Sequence, residues 1–275
     1  MYPRVLTIAG SDTTGGAGQL ADLKTFEEYG VFGMVALTCI VSLDKTQDWT
    51  PDIHNIDTDL LKQQLDTAFF ASPLAAVKTG MIGDAENIKV VGEYLRQFKP
   101  HNIVIDPVMA CKRSDNMHLE SIRELIKTEL IPQATITTPN LIEAEYLTDM
   151  TIQTVEDMKA AADMIVHQLG AQAVVVKGGH RLPGDKAVDI FYDGHDFTLL
   201  EHEKLENTYN HGAGCTFAAA ITAGLAKGYS PLEAVKQAKA FVTKAIERSF
   251  KVNDKMSHVW HGAYNEAENR MNPHA

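Results

Sequence analysis

The chain is organised around a glycine turn, Asn210-His211-Gly212-Ala213-Gly214-Cys215-Thr216, that runs into a helical pattern. The apolar residues that follow at the spacing of one helix face are Phe217, Ile221 and Leu225. Such a turn presents unpaired backbone N–H groups and the positive end of the helix dipole. Glycines also let the backbone approach a phosphate closely. We therefore predict an anion site at Gly212, Ala213 and Gly214.

The cysteine in this turn has two interpretations. Cys215 falls in the first turn of the predicted helix, where the dipole favours a thiolate and lowers the pKa from its ordinary value of about 8.5. His211 lies one turn earlier and is a candidate proton partner for the thiol. The alternative is a tight loop with a buried, inert cysteine. The local sequence leaves both open.

Composition limits the classes of partner. The chain has 275 residues, of which 45% are hydrophobic, enough for one α/β domain spanning 1–275. A net charge of -11 argues against nucleic acid or an anionic membrane as a partner, because both would be repelled. Its three cysteines, Cys39, Cys111 and Cys215, form neither a disulfide framework nor a zinc spacing. The first apolar run stops at Gly10, too short for a signal peptide or a membrane span, so we expect a soluble, cytoplasmic protein.

Short apolar runs alternate with helical patterns along most of the chain. The predicted strands lie near 5–9, 35–41, 75–78, 102–108, 135–138 and 173–176, and the predicted helices near 58–70, 86–98, 155–169 and 231–249. A hairpin is predicted at 188–200, turning at Asp193-Gly194. This alternation is typical of a mostly parallel sheet with helices on both faces. Ligands of such sheets bind beyond the carboxyl ends of the strands.

The first of these strand ends carries a second glycine loop, Gly10-Ser11-Asp12-Thr13-Thr14-Gly15-Gly16-Ala17-Gly18. It lacks the later acidic residue of a dinucleotide site and the Gly-Lys-Ser/Thr of a P-loop. We interpret it as the wall of a small-molecule pocket, with Asp12 and Asp22 as hydrogen-bond acceptors. The alternative is a solvated turn with Asp22 at the surface.

Three further strand ends carry candidate phosphate or metal groups. Asp106 could hold a metal ion through water, pair with a lysine, or cap its turn. Asn140 and Glu143 fit either a capping box or two oxygen ligands for hydrated Mg²⁺. Lys177 ends a buried strand before two glycines, which is costly unless it meets an anion, so we predict contact with a nucleotide phosphate.

Taken in order, several motifs resemble the ribokinase-like superfamily, in the branch of hydroxymethylpyrimidine kinases and related pyridoxal kinases. The motifs are the 10–26 glycine loop and helix, Lys-Thr-Gly-Met at 78–81, Asp-Pro-Val-Met at 106–109, Thr-Pro-Asn-Leu-Ile-Glu-Ala-Glu at 138–145, Val-Lys-Gly-Gly-His at 176–180 and Asn-His-Gly-Ala-Gly-Cys-Thr at 210–216. The resemblance implies a three-layer α/β sandwich and ATP-dependent phosphorylation of a hydroxymethyl group on a heteroaromatic ring.

The resemblance also assigns roles to residues. Gly212, Ala213 and Gly214 would form the anion hole for the transferred phosphoryl group. Asn140, Glu143 and Lys177 would meet ATP phosphates and Mg²⁺, with Asp106 supporting the metal waters. Cys215 stands where most of the superfamily has an aspartate base. Relatives in this branch are commonly homodimers, and a monovalent cation is an open requirement.

Two positions bear on the substrate. Leu43 replaces a glutamine that hydrogen-bonds the aminopyrimidine in the pyrimidine kinases, and Cys111 matches the pyridoxal kinases that carry two cysteines and a histidine. The resemblance thus favours a pyridoxal kinase of vitamin B6 salvage. Cys111 would add reversibly to the 4-aldehyde of pyridoxal, Cys215 would take the hydroxyl proton with His211 tuning it, and Asp12, Asp22 and Met81 would line the ring pocket.

Three alternatives remain at this point. The first is a hydroxymethylpyrimidine or hydroxymethylpyrimidine-phosphate kinase of thiamine synthesis. The second is a non-catalytic protein that binds a B6 vitamer on a kinase fold. The weakest is a dinucleotide-dependent oxidoreductase, which lacks the acid expected after the second strand.

Overall fold

The structure, a computed structural model, describes residues 2–71, 73–109, 116–205 and 209–267. Its described strands form a nine-stranded sheet in the order β3-β2-β1-β4-β5-β6-β7-β8-β9 and a separate two-stranded β10-β11 ribbon. The strands are β1 (Arg4–Asp12), β2 (Phe32–Asp44), β3 (Thr50–Asn55), β4 (Ala76–Thr79), β5 (Ile103–Ile105), β6 (Ile136–Thr137), β7 (Val174–Lys177), β8 (Lys186–Tyr192), β9 (Phe197–Glu203), β10 (Phe250–Lys251) and β11 (Ser257–His258).

Helices separate most of these strands. They are α1 (Gly18–Tyr29), α2 (Thr58–Phe70), α3 (Ala85–Phe98), α4 (Asn116–Leu125), α5 (Leu141–Thr148), α6 (Val155–His167), α7 (Ala213–Ala226), α8 (Pro231–Glu247) and α9 (Ala263–Ala267). A wide turn at Ile126–Leu130 and a tight one at Ile131–Gln133 continue α4. No described helix is both long and apolar enough to cross a membrane.

The sheet is parallel at its centre and antiparallel at both edges. The strands β2, β1, β4, β5, β6 and β7 pair in parallel, whereas β3, β8 and β9 pair antiparallel. The carboxyl ends of the six parallel strands therefore open on one edge of the sheet, and the loops that leave them meet there.

Side chains that alternate along the strands build a core on each face. In β7, Val174 and Val176 pack with α2 to α6, whereas Val175 packs with α7 and α8 on the other face. Phe26 of α1 joins this second layer against Ala219 and Ala223 of α7. This two-residue alternation is what a sheet covered on both faces requires. The predicted fold class is confirmed.

Most predicted elements are present, but α4 (Asn116–Leu125) was not predicted and two further regions differ. The helix predicted at 58–70 matches α2, and the 188–200 hairpin forms from β8 and β9. Strand β3 was not predicted, because Pro51 and the polar residues around it hide an edge strand that pairs only with β2. The segment from Phe250 onward, where the sequence predicts no element, contains β10, β11 and α9, and Trp260 donates its backbone N–H to the carbonyl of Ala245.

Two glycine loops touch at the carboxyl edge of the sheet. Gly212 has a φ of 87°, and a Cβ at this position would overlap the carbonyl oxygen of Gly16. Only glycine satisfies both conditions. The loop after β1 and the turn before α7 are therefore held in direct backbone contact.

We expect Gly212→Ala to destabilise the protein more than Gly228→Ala. Both glycines have a φ of 87°, so an alanine at either costs about 1–2 kcal/mol for the left-handed backbone. Only at Gly212 does the new Cβ collide with backbone, since nothing lies within 4 Å of it at Gly228. Urea unfolding should separate the two variants by about 1 kcal/mol or more. Equal losses would contradict the contact.

Candidate active site

Two cavities open at the carboxyl edge of the sheet, one on each side of the start of α7. His211 and Cys215 line the first cavity, of about 520 Å³. Asn210, Ala213 and Gly214 line the second, of about 390 Å³. Successive residues of one glycine turn thus face two separate spaces. A group transferred from one space to the other would pass the N-terminus of α7.

The first cavity has a largely apolar wall with a polar end. The structure brings together five residues that the sequence assigned to a ring pocket or to proton transfer: Asp12, Leu43, Met81, His211 and Cys215. Trp49, Pro51 and Ile53 of the β2–β3 hairpin add apolar surface. This shape and composition suit a small aromatic ring that carries a few polar substituents.

Asp12 is the most heavily hydrogen-bonded group in this cavity. Its carboxylate accepts from the backbone N–H and hydroxyl of Thr14, at 2.9 and 2.8 Å, and from the N–H of Ala17 at 3.1 Å. Its Oδ2 also lies 2.7 Å from Nε2 of His211. Partial burial acts to raise the pKa of Asp12, but the bonds to His211 and Thr14 outweigh it and lower the pKa to about 2. Asp12 is therefore a carboxylate at neutral pH.

Cys215 differs from the expectation based on the helix terminus. Its Sγ accepts a hydrogen bond from the N–H of Gly18 at 3.4 Å. Burial raises the pKa of the thiol to about 11, against the lowering effect of Lys78. Of the two interpretations of Cys215, the low-pKa thiolate does not fit this state, because burial destabilises the thiolate by more than the helix terminus stabilises it. His211 is hydrogen-bonded to Asp12 rather than to Cys215.

Lys177 is the cation beside the glycine turn in the second cavity, which Arg181 and Lys239 also line. Its Nζ lies 3.6 Å from the position that a Cβ on Gly214 would occupy, so the ammonium faces the glycine turn. Behind it, Oδ1 of Asp106 lies 3.4 Å from the same Nζ and accepts from the hydroxyl of Thr138 at 2.9 Å. Of the alternatives for Asp106, pairing with a lysine is therefore present.

Asn140 and Glu143 form the capping box of α5. Oδ1 of Asn140 accepts from the Glu143 N–H at 3.0 Å, and Oε2 of Glu143 accepts from the Asn140 N–H at 2.8 Å. Asn140 lines the second cavity, whereas Glu143 and Asp106 do not. Burial raises the pKa of Glu143 to about 7, with Lys177 opposing the shift and Asp106 adding to it. This carboxyl is poised to lose its proton when more positive charge arrives.

Asp22 and Cys111 are the two predicted site residues that remain. Asp22 does not line the first cavity: its side chain is fully buried and pairs with Lys78 at 3.1 Å, so the expectation of a ring-pocket or surface residue is wrong. A helix position facing the sheet and a cation from β4 explain its burial. Cys111 lies outside the described residues.

Sequence reasoning missed the C-terminal contribution to the first cavity. The His258 ring packs so closely on Gly16 that a Cβ there would overlap it, and its centroid lies 5.5 Å from that of His211. Burial, with His211 nearby, lowers the pKa of His258. Lys255 pairs with Asp48 at 2.8 Å, joining the C-terminal segment to the β2–β3 hairpin. No periodic pattern in this segment would have revealed these long-range contacts.

Comparison with known proteins agrees with this geometry. The sequence profile of the phosphomethylpyrimidine kinase family matches residues 12–260. A pyridoxine kinase of Bacillus subtilis is 45% identical over 94% of this chain and 96% of its own length. The structure of an ADP complex of Bacillus subtilis pyridoxal kinase superposes with a TM-score of 0.92 at 44% identity, covering 99% of this chain and 100% of the other.

A second structure is the pyridoxal kinase from Staphylococcus aureus in complex with AMP-PCP and pyridoxal. It is similar with a TM-score of 0.90 and 47% identity, covering 96% of this chain and 95% of the other. These matches span nearly the whole chain, and the motifs that form the two cavities fall inside the matched range. The chain belongs to the phosphomethylpyrimidine kinase family.

Proposed function

We propose that this protein is an ATP-dependent pyridoxal kinase, which phosphorylates the 5-hydroxymethyl group of pyridoxal, and also of pyridoxine and pyridoxamine, to give the 5′-phosphates in vitamin B6 salvage. The observation that carries the proposal is the pair of cavities that share the N-terminus of α7. A ring in the first cavity and a nucleotide in the second would bring hydroxyl and γ-phosphate together at the glycine turn. The similarity to pyridoxal kinases supports this assignment.

The proposed reaction is an in-line transfer at the glycine turn. The hydroxymethyl oxygen of the acceptor attacks the γ-phosphorus, the bond to the ADP oxygen breaks, and the hydroxyl proton passes to the thiolate form of Cys215. Backbone N–H groups at Gly212, Ala213 and Gly214 would meet the charge on the moving phosphoryl group. Lys177 would neutralise the ATP phosphates from the second cavity. His211, held by Asp12, would orient the ring substituents.

The donor groups around Lys177 suit a magnesium ion. Mg²⁺ is usually held by one or two carboxylates together with substrate phosphates, and Glu143 and Asp106 supply two carboxyl groups beside Lys177. No group of three or more metal-binding side chains occurs in the described part of the chain, so a site of this kind needs the phosphates to complete it. When bound, the ion would neutralise phosphate charge. The ion would also lower the pKa of Glu143 from about 7, so that this carboxyl would be ionised at neutral pH.

The wall of the first cavity favours pyridoxal over hydroxymethylpyrimidine. Leu43 faces this space with an apolar side chain, where the pyrimidine kinases are expected to offer an amide to the aminopyrimidine. An unpaired ring group costs about 1–3 kcal/mol when it is buried. Hydroxymethylpyrimidine or its phosphate is the alternative substrate, and the name of the family profile supports it.

The setting of the enzyme is part of the same proposal. We infer a homodimer that works in the cytoplasm, since the family resemblance and the acidic composition both fit that setting. A requirement for a monovalent cation would be tested by replacing K⁺ with a large organic cation in the kinase assay.

The first test is competition between acceptors. With ATP and Mg²⁺, and with pyridoxal and hydroxymethylpyrimidine at equal concentration, we expect phosphorylated pyridoxal to dominate, because the ratio of kcat/KM values sets the products. Chromatography of both products gives the ratio directly. A preference for hydroxymethylpyrimidine would exchange the two assignments while leaving the kinase reaction in place.

A substitution at Leu43 tests the reason for this preference. Leu43→Gln should move the kcat/KM ratio towards hydroxymethylpyrimidine by about tenfold, as one recovered hydrogen bond would. Leu43→Met is the matched control, because it keeps the volume and adds no amide. The same shift in both variants would exclude a hydrogen bond as the cause.

The pH profile tests the role of Cys215. With a thiol pKa of about 11, the thiolate fraction rises with pH through the whole range below that value. If the thiolate accepts the proton, kcat/KM should rise by up to about tenfold per pH unit between pH 8 and 10. Glu143, with a pKa of about 7, is already ionised in this window.

Cys215→Ala should lower kcat by about 10²- to 10⁴-fold and flatten this profile. Cys39→Ala is the control: burial likewise raises the pKa of the Cys39 thiol to about 11, but the residue does not line the first cavity. It should keep the wild-type profile. Undiminished turnover in Cys215→Ala would remove the proposed proton transfer.

A further inference from the structure

A buried ion pair lies behind the glycine turn and has no role in the reaction described so far. Lys78 is the penultimate residue of β4 and begins the Lys-Thr-Gly-Met motif. Its side chain has an exposure of 0%, as does that of Asp22 in α1. Lys78 Nζ donates to Oδ2 of Asp22 at 3.1 Å, and the hydroxyl of Thr7 donates to the same oxygen at 2.6 Å. Oδ1 of Asp22 is buried with no described hydrogen-bond partner.

Stability alone does not account for this pair. Removing two charges from water has a large desolvation cost. Well-packed apolar side chains of similar volume often stabilise a core equally well or better. An unsatisfied carboxylate oxygen adds to that cost. The ion pair therefore stabilises the fold less than apolar side chains would, which points to a functional role for its charges.

Helix α1 and strand β4 place the pair close to Cys215. Asp22 lies one helical turn after Gly18 on α1, and the N–H of Gly18 is the group that donates to Sγ of Cys215. The ammonium of Lys78 reaches to 3.2 Å from the position of a Cβ on Gly80, at the strand end that leads into the wall of the first cavity. Asp22 thus lies on the helix whose first residue contacts Cys215, and Lys78 lies on the strand that leads into the wall of the same cavity.

We propose that Lys78 is a positioning residue for the phosphoryl transfer, whose buried charge stabilises the thiolate of Cys215, and that Asp22 holds the ammonium in place and moderates its effect. This inference rests on the proposed role of Cys215 as the proton acceptor. In the reaction, the thiolate accepts the hydroxyl proton as the acceptor oxygen bonds to phosphorus. Lys78 keeps its own proton throughout.

The charges around the thiol agree with this division of roles. Burial raises the pKa of Cys215, Lys78 acts to lower it, and Asp22 and Asp106 act to raise it by smaller amounts. Lys177 at the end of β7 also interacts with the thiolate charge. Among the described residues, the charged and titratable groups that face Cys215 from the surrounding elements or share its cavity are Asp22, Lys78, Asp106, Lys177, His211, Asp12, Lys255 and His258.

The test measures the thiol itself, so it does not depend on kinase activity. Full-length wild type, Asp22→Asn and the double variant Lys78→Met/Asp22→Asn are treated with iodoacetamide between pH 8 and 9.5. Alkylation of the Cys215 peptide is then followed by mass spectrometry. Below its pKa, a thiol reacts in proportion to its thiolate fraction. The double variant leaves no unpaired buried charge, so it keeps the experiment possible if Lys78→Met alone does not fold.

We expect Asp22→Asn to react faster than wild type, and the double variant to react about tenfold more slowly than Asp22→Asn, since a nearby charge changes a pKa by about one unit or more. Cys39, which is buried and has a thiol pKa also raised to about 11, serves as the internal control in each sample. Its labelling reports any general loosening of the fold. In urea, all three proteins should label Cys215 at one rate.

Equal Cys215 rates in Asp22→Asn and the double variant, with Cys39 protected in both, would overturn the proposal. Faster labelling of both cysteines in the double variant would also overturn it, because the pair would then be only structural. A kinase-inactive protein that still shows the expected order of rates would refute the proposed function and leave the charge effect intact.

Discussion

The backbone contact between Gly16 and Gly212 is the constraint on which the rest of the site depends. Because neither position leaves room for a side chain, the loop after β1 and the turn before α7 approach each other directly. That approach allows the N–H of Gly18 to reach Cys215 at 3.4 Å and His211 to reach Asp12 at 2.7 Å. Two loops that are far apart in the chain therefore build the polar end of the first cavity, since Asp12 and His211 are 199 positions apart.

Positive groups lie beside the glycine turn in the second cavity, although the protein as a whole is negatively charged. The chain carries a net charge of -11, yet the space beside the glycine turn holds the ammonium of Lys177 and the N-terminus of α7. The carboxyl groups of Asp106 and Glu143 hold Lys177 in place without lining the cavity. Asp189 also lines this cavity and pairs with Lys239. At the glycine turn itself, a polyanion would thus meet Lys177 and backbone N–H groups first, with Asp106 and Glu143 behind them.

Hydrophobic periodicity and turn residues were enough to predict most helices and strands and that the strand ends meet at one edge. The features that they missed depend on contacts between residues far apart in the chain. The α2 helix and the β8–β9 hairpin follow from periodicity and turn residues within one window. By contrast, β3 depends on pairing with β2, and His258 depends on packing against Gly16. The sequence left open whether Cys215 is a low-pKa thiolate or a buried thiol, because a helix terminus is visible in sequence whereas removal from water is not. Asp22 was misplaced for the same reason, since its cation lies 56 residues away in β4.

The link between Lys255 and Asp48 has a consequence for how the protein becomes functional during synthesis. These residues are 207 positions apart, and their segments form one wall of the first cavity. A nascent chain that has emerged only as far as α8 already contains every strand of the main sheet and both walls of the lysine-lined cavity. It still lacks the segment that encloses the ring. The cavity beside Lys177 thus needs no residue after α8, whereas the first cavity is closed only when the last described segment packs against the β2–β3 hairpin.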